Sequence, residues 1–202
     1  MRLIRPGFAG RCLYPEALFR VKTGERFLYL TFDDGPDPAS TPRLLEKLKE
    51  HNIPAVFFCT GKAAEQHPDL ITRIFEDGHI IGNHGYDHLD GWRTGSTSYS
   101  ADVERASPLT SDAIFRPPYG RITPRQAKIL KRFKIVFWDI MAFDFDRSLG
   151  ISGCLRIIRN HIRPGSIVVL HDSPGSLANL LLDDLVKIAR EEDYSFQLLR
   201  LT

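Results

Sequence analysis

Phe27-Leu28-Tyr29-Leu30-Thr31-Phe32-Asp33-Asp34-Gly35-Pro36 is the stretch on which the reading of this 202-residue chain turns. Phe27 to Phe32 reads as a strand of aromatic, aliphatic and β-branched residues. Neighbouring strand residues point to opposite faces, so Asp33 and Asp34 can share a site only where the strand has ended. Gly35-Pro36 supplies that ending. Two carboxylates held close repel unless a cation lies between or beside them. A bare Asp-Asp-Gly is also an ordinary turn, so the pair acquires meaning only from what surrounds it.

Downstream, Pro42 to His51 predicts a helix with Leu44, Leu45 and Leu48 on one face, Thr41 as N-cap and Pro42 at the first helical position. The alternation repeats. Strands are expected at Ala55–Cys59, Ile80–Asn83, Ile114–Arg116, Ile135–Ile140, Ser166–Leu170 and Phe196–Leu201. Helices are expected at Lys62–Glu76, Tyr99–Leu109, Pro124–Arg132, Ser152–Ile162 and Leu177–Glu191. Seven βα-like repeats favour a parallel α/β sheet, open or closed into a barrel. Either way a ligand site belongs at the carboxyl ends of the strands.

With 43% hydrophobic and 26% charged residues, the chain fits one globular domain with a substantial core. A net charge of +2 demands no nucleic-acid partner, and three scattered cysteines make neither a disulfide framework nor a thiolate metal site. No run approaches the roughly 18 apolar residues of a spanning helix, and no ordinary secretory signal is visible. The chain therefore reads as cytoplasmic. Leu3, Ile4, Phe8, Leu18 and Phe19, set among arginines, suit either peripheral contact with a membrane or a lid over the domain's own core; the lid is favoured. Residues 1–25 are thus expected as a lead-in packed on a domain of residues 26–202. Oligomeric state is unreadable.

The unusual residues fall at the expected rim. Asp33 and Asp34 follow the first strand, and His84 and His88 the third. Arg116-Pro117-Pro118-Tyr119-Gly120 ends the fourth, Asp139 to Asp144 and Phe145 the fifth, and His171-Asp172 the sixth. A domain built only for stability has no reason to gather ionisable groups there. Two imidazoles one helical turn apart plus a carboxylate leave coordination positions open, which suits catalytic zinc and also non-haem iron. His171 ends an apolar run; at such a rim it reads as a general acid or base rather than a core histidine.

Assembled in this order, the motifs resemble those of the polysaccharide deacetylases with a NodB homology domain, from about Arg26 to the end. Thr31-Phe32-Asp33-Asp34-Gly35 matches the first motif, His84 to His88 the second and Arg116 to Tyr119 the third. The run ending in Asp144-Phe145 matches the fourth, and Leu170-His171-Asp172 the fifth. The resemblance implies a distorted, incomplete (β/α) barrel of about seven parallel strands. It implies one divalent metal ion, zinc first and other divalent ions next, on Asp34, His84 and His88. Metal-bound water would be the nucleophile, Asp33 the base oriented by Arg116, and His171 the acid tuned by Asp144. The Tyr119 backbone N–H would bind the oxyanion, and Phe145 would wall the acyl pocket. The implied substrate is an N-acylated, first of all N-acetylated, amino sugar in a polysaccharide, oligosaccharide or glycan precursor.

Two departures stand out. Gly85 replaces the usual Ser or Thr whose hydroxyl braces the second motif, an expected loss of rigidity at His84 and His88. Phe145 replaces the usual Trp and removes an indole N–H from the pocket wall. The alternatives are a related metal amidohydrolase or deformylase acting on a non-sugar or lipid-linked amide, and a non-catalytic carbohydrate-binding domain.

Overall fold

The alternation of apolar strands with amphipathic helices becomes one curled α/β sheet in the computed structural model, which describes residues 4–200. The strands are β1 (Phe27–Asp33), β2 (Ala55–Cys59), β3 (Ile80–Asn83), β4 (Ile114–Phe115), β5 (Lys134–Ile135), β6 (Ile140–Met141), β7 (Ser166–His171) and β8 (Ser195–Phe196). Seven follow the order β5-β4-β3-β2-β1-β7-β6, and all pairs are parallel. This is the incomplete (β/α) barrel expected. The two-residue β8 pairs with the start of β1.

Period-two alternation sorts the strand residues into two layers. Leu30, Phe32, Phe57, Val168 and Leu170 pack outward in one cluster with Leu44, Leu45, Leu48, Leu181, Leu182 and Leu185. Those leucines belong to α2 (Thr41–His51) and α8 (Ala178–Glu191). Tyr29, Val56, Phe58 and Ile167 have the other parity and fill a second cluster with Val136. Thr31 and Asp33 share that inward parity, which carries the Asp33 carboxylate toward the barrel interior and Arg116.

Several boundaries differ from expectation for local reasons. The expected strand Ile135–Ile140 is broken, because the stretch changes partners. Val136 N–H still bonds Phe115 O, whereas Asp139 N–H bonds Ile167 O on β7. Its two ends therefore serve opposite edges of the sheet, and the middle cannot keep one ladder. The helix expected over Lys62–Glu76 is two, α3 (Gly61–Gln66) and α4 (Pro68–Glu76), parted at His67-Pro68 where proline removes a donor. The fifth and sixth helices, α5 (Ser96–Ala106) and α6 (Pro124–Ile129), are shifted or shortened; the seventh is α7 (Gly150–His161). The last strand is only Ser195–Phe196, and Leu201 lies outside the described residues. Ser40, not Thr41, holds the N-cap position of α2, with no side-chain cap bond. The Thr41 hydroxyl instead accepts from Asp37 N–H and donates to Asp172 Oδ2 at 2.6 Å.

The start of the chain lies against this frame. A helix α1 (Phe8–Leu13) precedes Leu18, which bridges Val136. Ile4 O accepts from Met141 N–H, and Phe19 is buried. Of the residues that also suited a membrane, Ile4, Leu18 and Phe19 pack into the domain. Leu3 and the side chain of Phe8 lie outside what is described. Among the described residues no helix is long and apolar enough to cross a membrane.

Candidate active site

Asp33 is the last residue of β1, and Asp34 leaves the strand at φ +81°, so the two side chains need not diverge. Six non-glycine residues among those described have positive φ. Asn52 and Asp193 follow helix ends, where the left-handed conformation is ordinary. The other four, Asp34, His88, Tyr119 and Phe143, line a single cavity of about 840 Å³. Backbone strain concentrated in this way is typical of sites where geometry outranks stability.

His84 Nε2 lies 3.6 Å and His88 Nε2 3.2 Å from Asp34 Oδ1. One ligand atom from each residue lies within 4.8 Å of the others. Ligands around a tetrahedral zinc at ~2.0–2.1 Å are roughly 3.3 Å apart, so the three fit a common cation with little movement. His84 Nδ1 sits 2.7 Å from the Arg116 carbonyl, which accepts its proton and leaves Nε2 with a free lone pair. Burial pushes the His84 imidazolium down to about 4, so the ring is neutral and able to ligate near neutral pH. Burial would raise Asp34, but the His88 hydrogen bond and the neighbouring imidazoles outweigh it and hold the carboxyl below the ordinary range.

Asp33 is buried, and its Oδ1 accepts from Arg116 Nη1 at 2.6 Å. Arg116 is fully buried, stacks over the Phe58 ring at 4.1 Å, and donates also to Thr31 Oγ1, Val136 O and Phe137 O. The same guanidinium thus orients the carboxylate and ties down the stretch that switches between sheet edges.

His171 Nδ1 is 2.8 Å from Asp144 Oδ1. The other oxygen of Asp144 accepts from His171 backbone N–H and Ser176 Oγ. Burial pushes the imidazolium pKa down, but the Asp144 hydrogen bond and charge win and raise it to about 9. Phe145 meets the His171 ring edge-on at 4.8 Å.

Seven of the nine residues singled out from sequence, Asp33, Asp34, His84, His88, Tyr119, Phe145 and His171, line the one cavity. Arg116 and Asp144 sit behind them, fully buried. Sequence reasoning missed the braces. Asn83 Oδ1 accepts from Gly85 N–H, and Asp102 on α5 accepts from Tyr86 and Asp87 N–H at 2.8 and 2.9 Å. These bonds rigidify the loop between His84 and His88 without the hydroxyl absent at Gly85. Asp172, placed at the rim by the sequence but given no role there, has one in the structure. Its carboxyl is raised to about 6 by burial, against the hydrogen bonds of Thr41 and Ser40. It also leaves only glycine room at position 35, where a Cβ would lie 2.2 Å from its Oδ2. No local pattern marks Asp102; only its place on α5 brings it to the loop. Trp92 is exposed on the cavity, while Tyr99 is a core residue.

One cavity of the half-barrel thus gathers a three-ligand cluster, a held carboxylate and a carboxylate-backed imidazole. The polysaccharide deacetylase family profile matches residues 20–138. A peptidoglycan-N-acetylglucosamine deacetylase of Bacillus cereus is 34% identical over 167 residues, 79% of this chain but only 60% of that protein. A chitooligosaccharide deacetylase of Sinorhizobium fredii is 35% identical over 181 residues, 82% of each chain. A crystal structure of a peptidoglycan N-acetylglucosamine deacetylase with 4-naphthalen-1-yl-N-oxidanyl-benzamide superposes with a TM-score of 0.85 at 30% identity, covering 91% of both chains. The chain belongs to the polysaccharide deacetylase family.

That membership makes Gly85 testable. Gly85→Ser writes in the usual family residue, yet φ here is +74° and the new Cβ would lie 2.7 Å from Asp102 Oδ2. The left-handed conformation alone costs about 1–2 kcal/mol for a side-chain-bearing residue. Gly85→Ser is expected to lower the melting temperature, read by thermal unfolding.

Proposed function

We propose that the chain hydrolyses the N-acyl amide of an amino sugar, acetyl being the group named in its relatives. The observation carrying this reading is that one cavity presents the Asp34–His84–His88 cluster, the Arg116-held Asp33 and the Asp144-held His171 together. The two-imidazole, one-carboxylate donor set fits a divalent ion of zinc's preference. Such an ion, when bound, lowers the pKa of a coordinated water and polarises the amide carbonyl. Asp33, fixed by Arg116, takes the proton of the attacking water. Tyr119, in the left-handed conformation on the cavity wall, offers its backbone N–H to the developing oxyanion. His171 gives its Nε2 proton to the departing nitrogen, since an amine leaves poorly as an anion. Phe145, packed on His171, walls the acyl side. A hydroxamate bound to the structural relative is consistent, because hydroxamates chelate metals in place of an amide.

The test is direct. Purified protein loaded with zinc and incubated with N-acetylglucosamine oligomers and N-acylated precursor sugars is expected to release the acid. Dialysis against a chelator should abolish release, and one equivalent of zinc should restore it. Hydrolysis of a non-sugar amide, with silence on every amino sugar, would overturn the sugar part.

The acid role makes a pH prediction. His171 must be protonated to act, so activity is expected to fall as pH rises through its pKa. Asp144 raises that value to about 9, and a nearby cation would work against the rise, so the alkaline limb should lie no higher. Asp144→Asn removes the group that raises it and should move the limb toward acid, measured as kcat/KM against pH.

A further inference from the structure

The cavity that holds the catalytic groups continues along an apolar wall. From the acid His171, Phe145 leads to Phe143, whose ring centre is 5.9 Å away. Met141 and Trp138 line the same cavity, and Phe137 stacks on Phe19 at 4.8 Å. The chain start closes the far side through Gly7, Gly10, Leu13 and Tyr14. Seven large hydrophobic side chains among the described residues are exposed, and four of them, Leu13, Trp92, Tyr119 and Phe145, line this cavity. An apolar surface gathered at one place marks a binding site.

Polar partners are few along this wall, the indole N–H of Trp138 being the one buried side-chain donor there without a partner among the described residues. Outside the catalytic cluster the charged lining residue is Arg121, already bonded to Asp90 at 2.5 Å. The Tyr14 hydroxyl donates to Ile122 O, and Thr123 Oγ1 caps α6. One indole N–H could not replace the several hydrogen bonds to water that a sugar's hydroxyls would lose on burial here. A hydrocarbon chain has no hydrogen bonds of its own to lose.

We propose that the wall is an acyl channel and that the substrate is an amino sugar whose scissile amide carries a fatty acyl chain. This rests on the amidohydrolase reading above, with Phe145 on the acyl side. The balance is simple hydrolysis: the C–N bond breaks, the oxygen of water ends on the acyl carbon as a fatty carboxylate, and the amine leaves with the proton from His171.

The two tryptophans of the chain, Trp92 and Trp138, both line the cavity, so intrinsic fluorescence reports its occupancy. The experiment titrates zinc-loaded protein with N-acetyl-, N-octanoyl- and N-dodecanoyl-glucosamine below their micelle concentrations, follows release of each acid, and includes octyl glucoside. Affinity is expected to rise with acyl length, approaching about fourfold per buried methylene. The kcat/KM for octanoyl should exceed that for acetyl by roughly 100-fold or more, a small part of the same limit. A Cβ at Gly10 would meet nothing nearer than Pro6 Cβ at 3.9 Å. Gly10→Phe, which has room for its Cβ, should narrow the channel and cut the octanoyl-to-acetyl ratio at least tenfold, its folding being checked by thermal unfolding and by an unchanged rate on N-acetylglucosamine. Fluorescence and kcat/KM indifferent to acyl length would overturn the channel while leaving a deacetylase standing. Octyl glucoside binding as tightly as N-octanoyl-glucosamine would put the chain on the wrong end of the sugar and refute it as well. Chain-dependent fluorescence without hydrolysis of any amide would instead sink the amidohydrolase reading.

Discussion

Asp33→Asn is expected to lower kcat by roughly 10²- to 10⁴-fold, the usual worth of a positioned proton acceptor, with zinc still bound. The amide side chain is isosteric, so its oxygen can still accept from Arg116 Nη1, as Asp33 Oδ1 does at 2.6 Å. What it loses is the capacity to take a proton from water. Asp34, His84 and His88 form the ligand cluster without Asp33, whose Oδ2 is 4.0 Å from His84 Nε2. Metal content by atomic absorption and single-turnover rate separate the two effects. A variant as active as the parent would remove Asp33 from the chemistry, and one that lost its zinc would make it a ligand.

Arg116→Met is expected to cost about 3–5 kcal/mol of stability, the range for breaking a buried ion pair by removing one partner. The side chain is fully buried against the nearly buried Asp33. Without it the Asp33 carboxylate keeps its burial and loses its cation, and the carbonyls of Val136 and Phe137 lose their donors. Those carbonyls lie where the chain leaves β5 for β6, so the loss should also loosen the barrel's irregular closure. Denaturant unfolding measures the first effect, and hydrogen exchange over residues 134–141 the second. Arg116→Lys should rescue only part, because one ammonium cannot span Thr31, Asp33 and both carbonyls. Equal stability of all three proteins would show that the guanidinium contributes no net energy.

pH should act on stability through His171 as well. Its folded pKa lies above the ordinary 6.5, at about 9. The pairing with Asp144 therefore stabilises the fold fully below about 6.5 and ceases to as pH rises through about 9.

What the sequence by itself determined were the features carried by local pattern. Apolar runs followed by Asp33-Asp34, Arg116 or His171 announced strands ending at a chemical rim. Parallel strands bring their carboxyl ends to one side, so such residues converge however the sheet curls. The spacing of His84 and His88 marked them as a pair, but the helical turn expected between them is a loop, with Gly85 at φ +74° and His88 at φ +56°, that brings the two rings together. Tertiary structure decided what depends on partners distant in sequence. Val136 to Asp139 reads as a plain strand, and only the competing edges of β4 and β7 break it. Asp102 became the brace of the histidine loop because α5 sets its carboxylate against Tyr86 and Asp87 N–H, and the absent hydroxyl at Gly85 is thereby made good. The first residues of the chain could be read as lid or membrane contact, because apolar side chains do not encode what they will touch. Hydrophobic burial is non-directional, so the choice of neighbour belongs to the assembled barrel, whereas hydrogen-bonding turns and ligand spacings are written in the order of the residues.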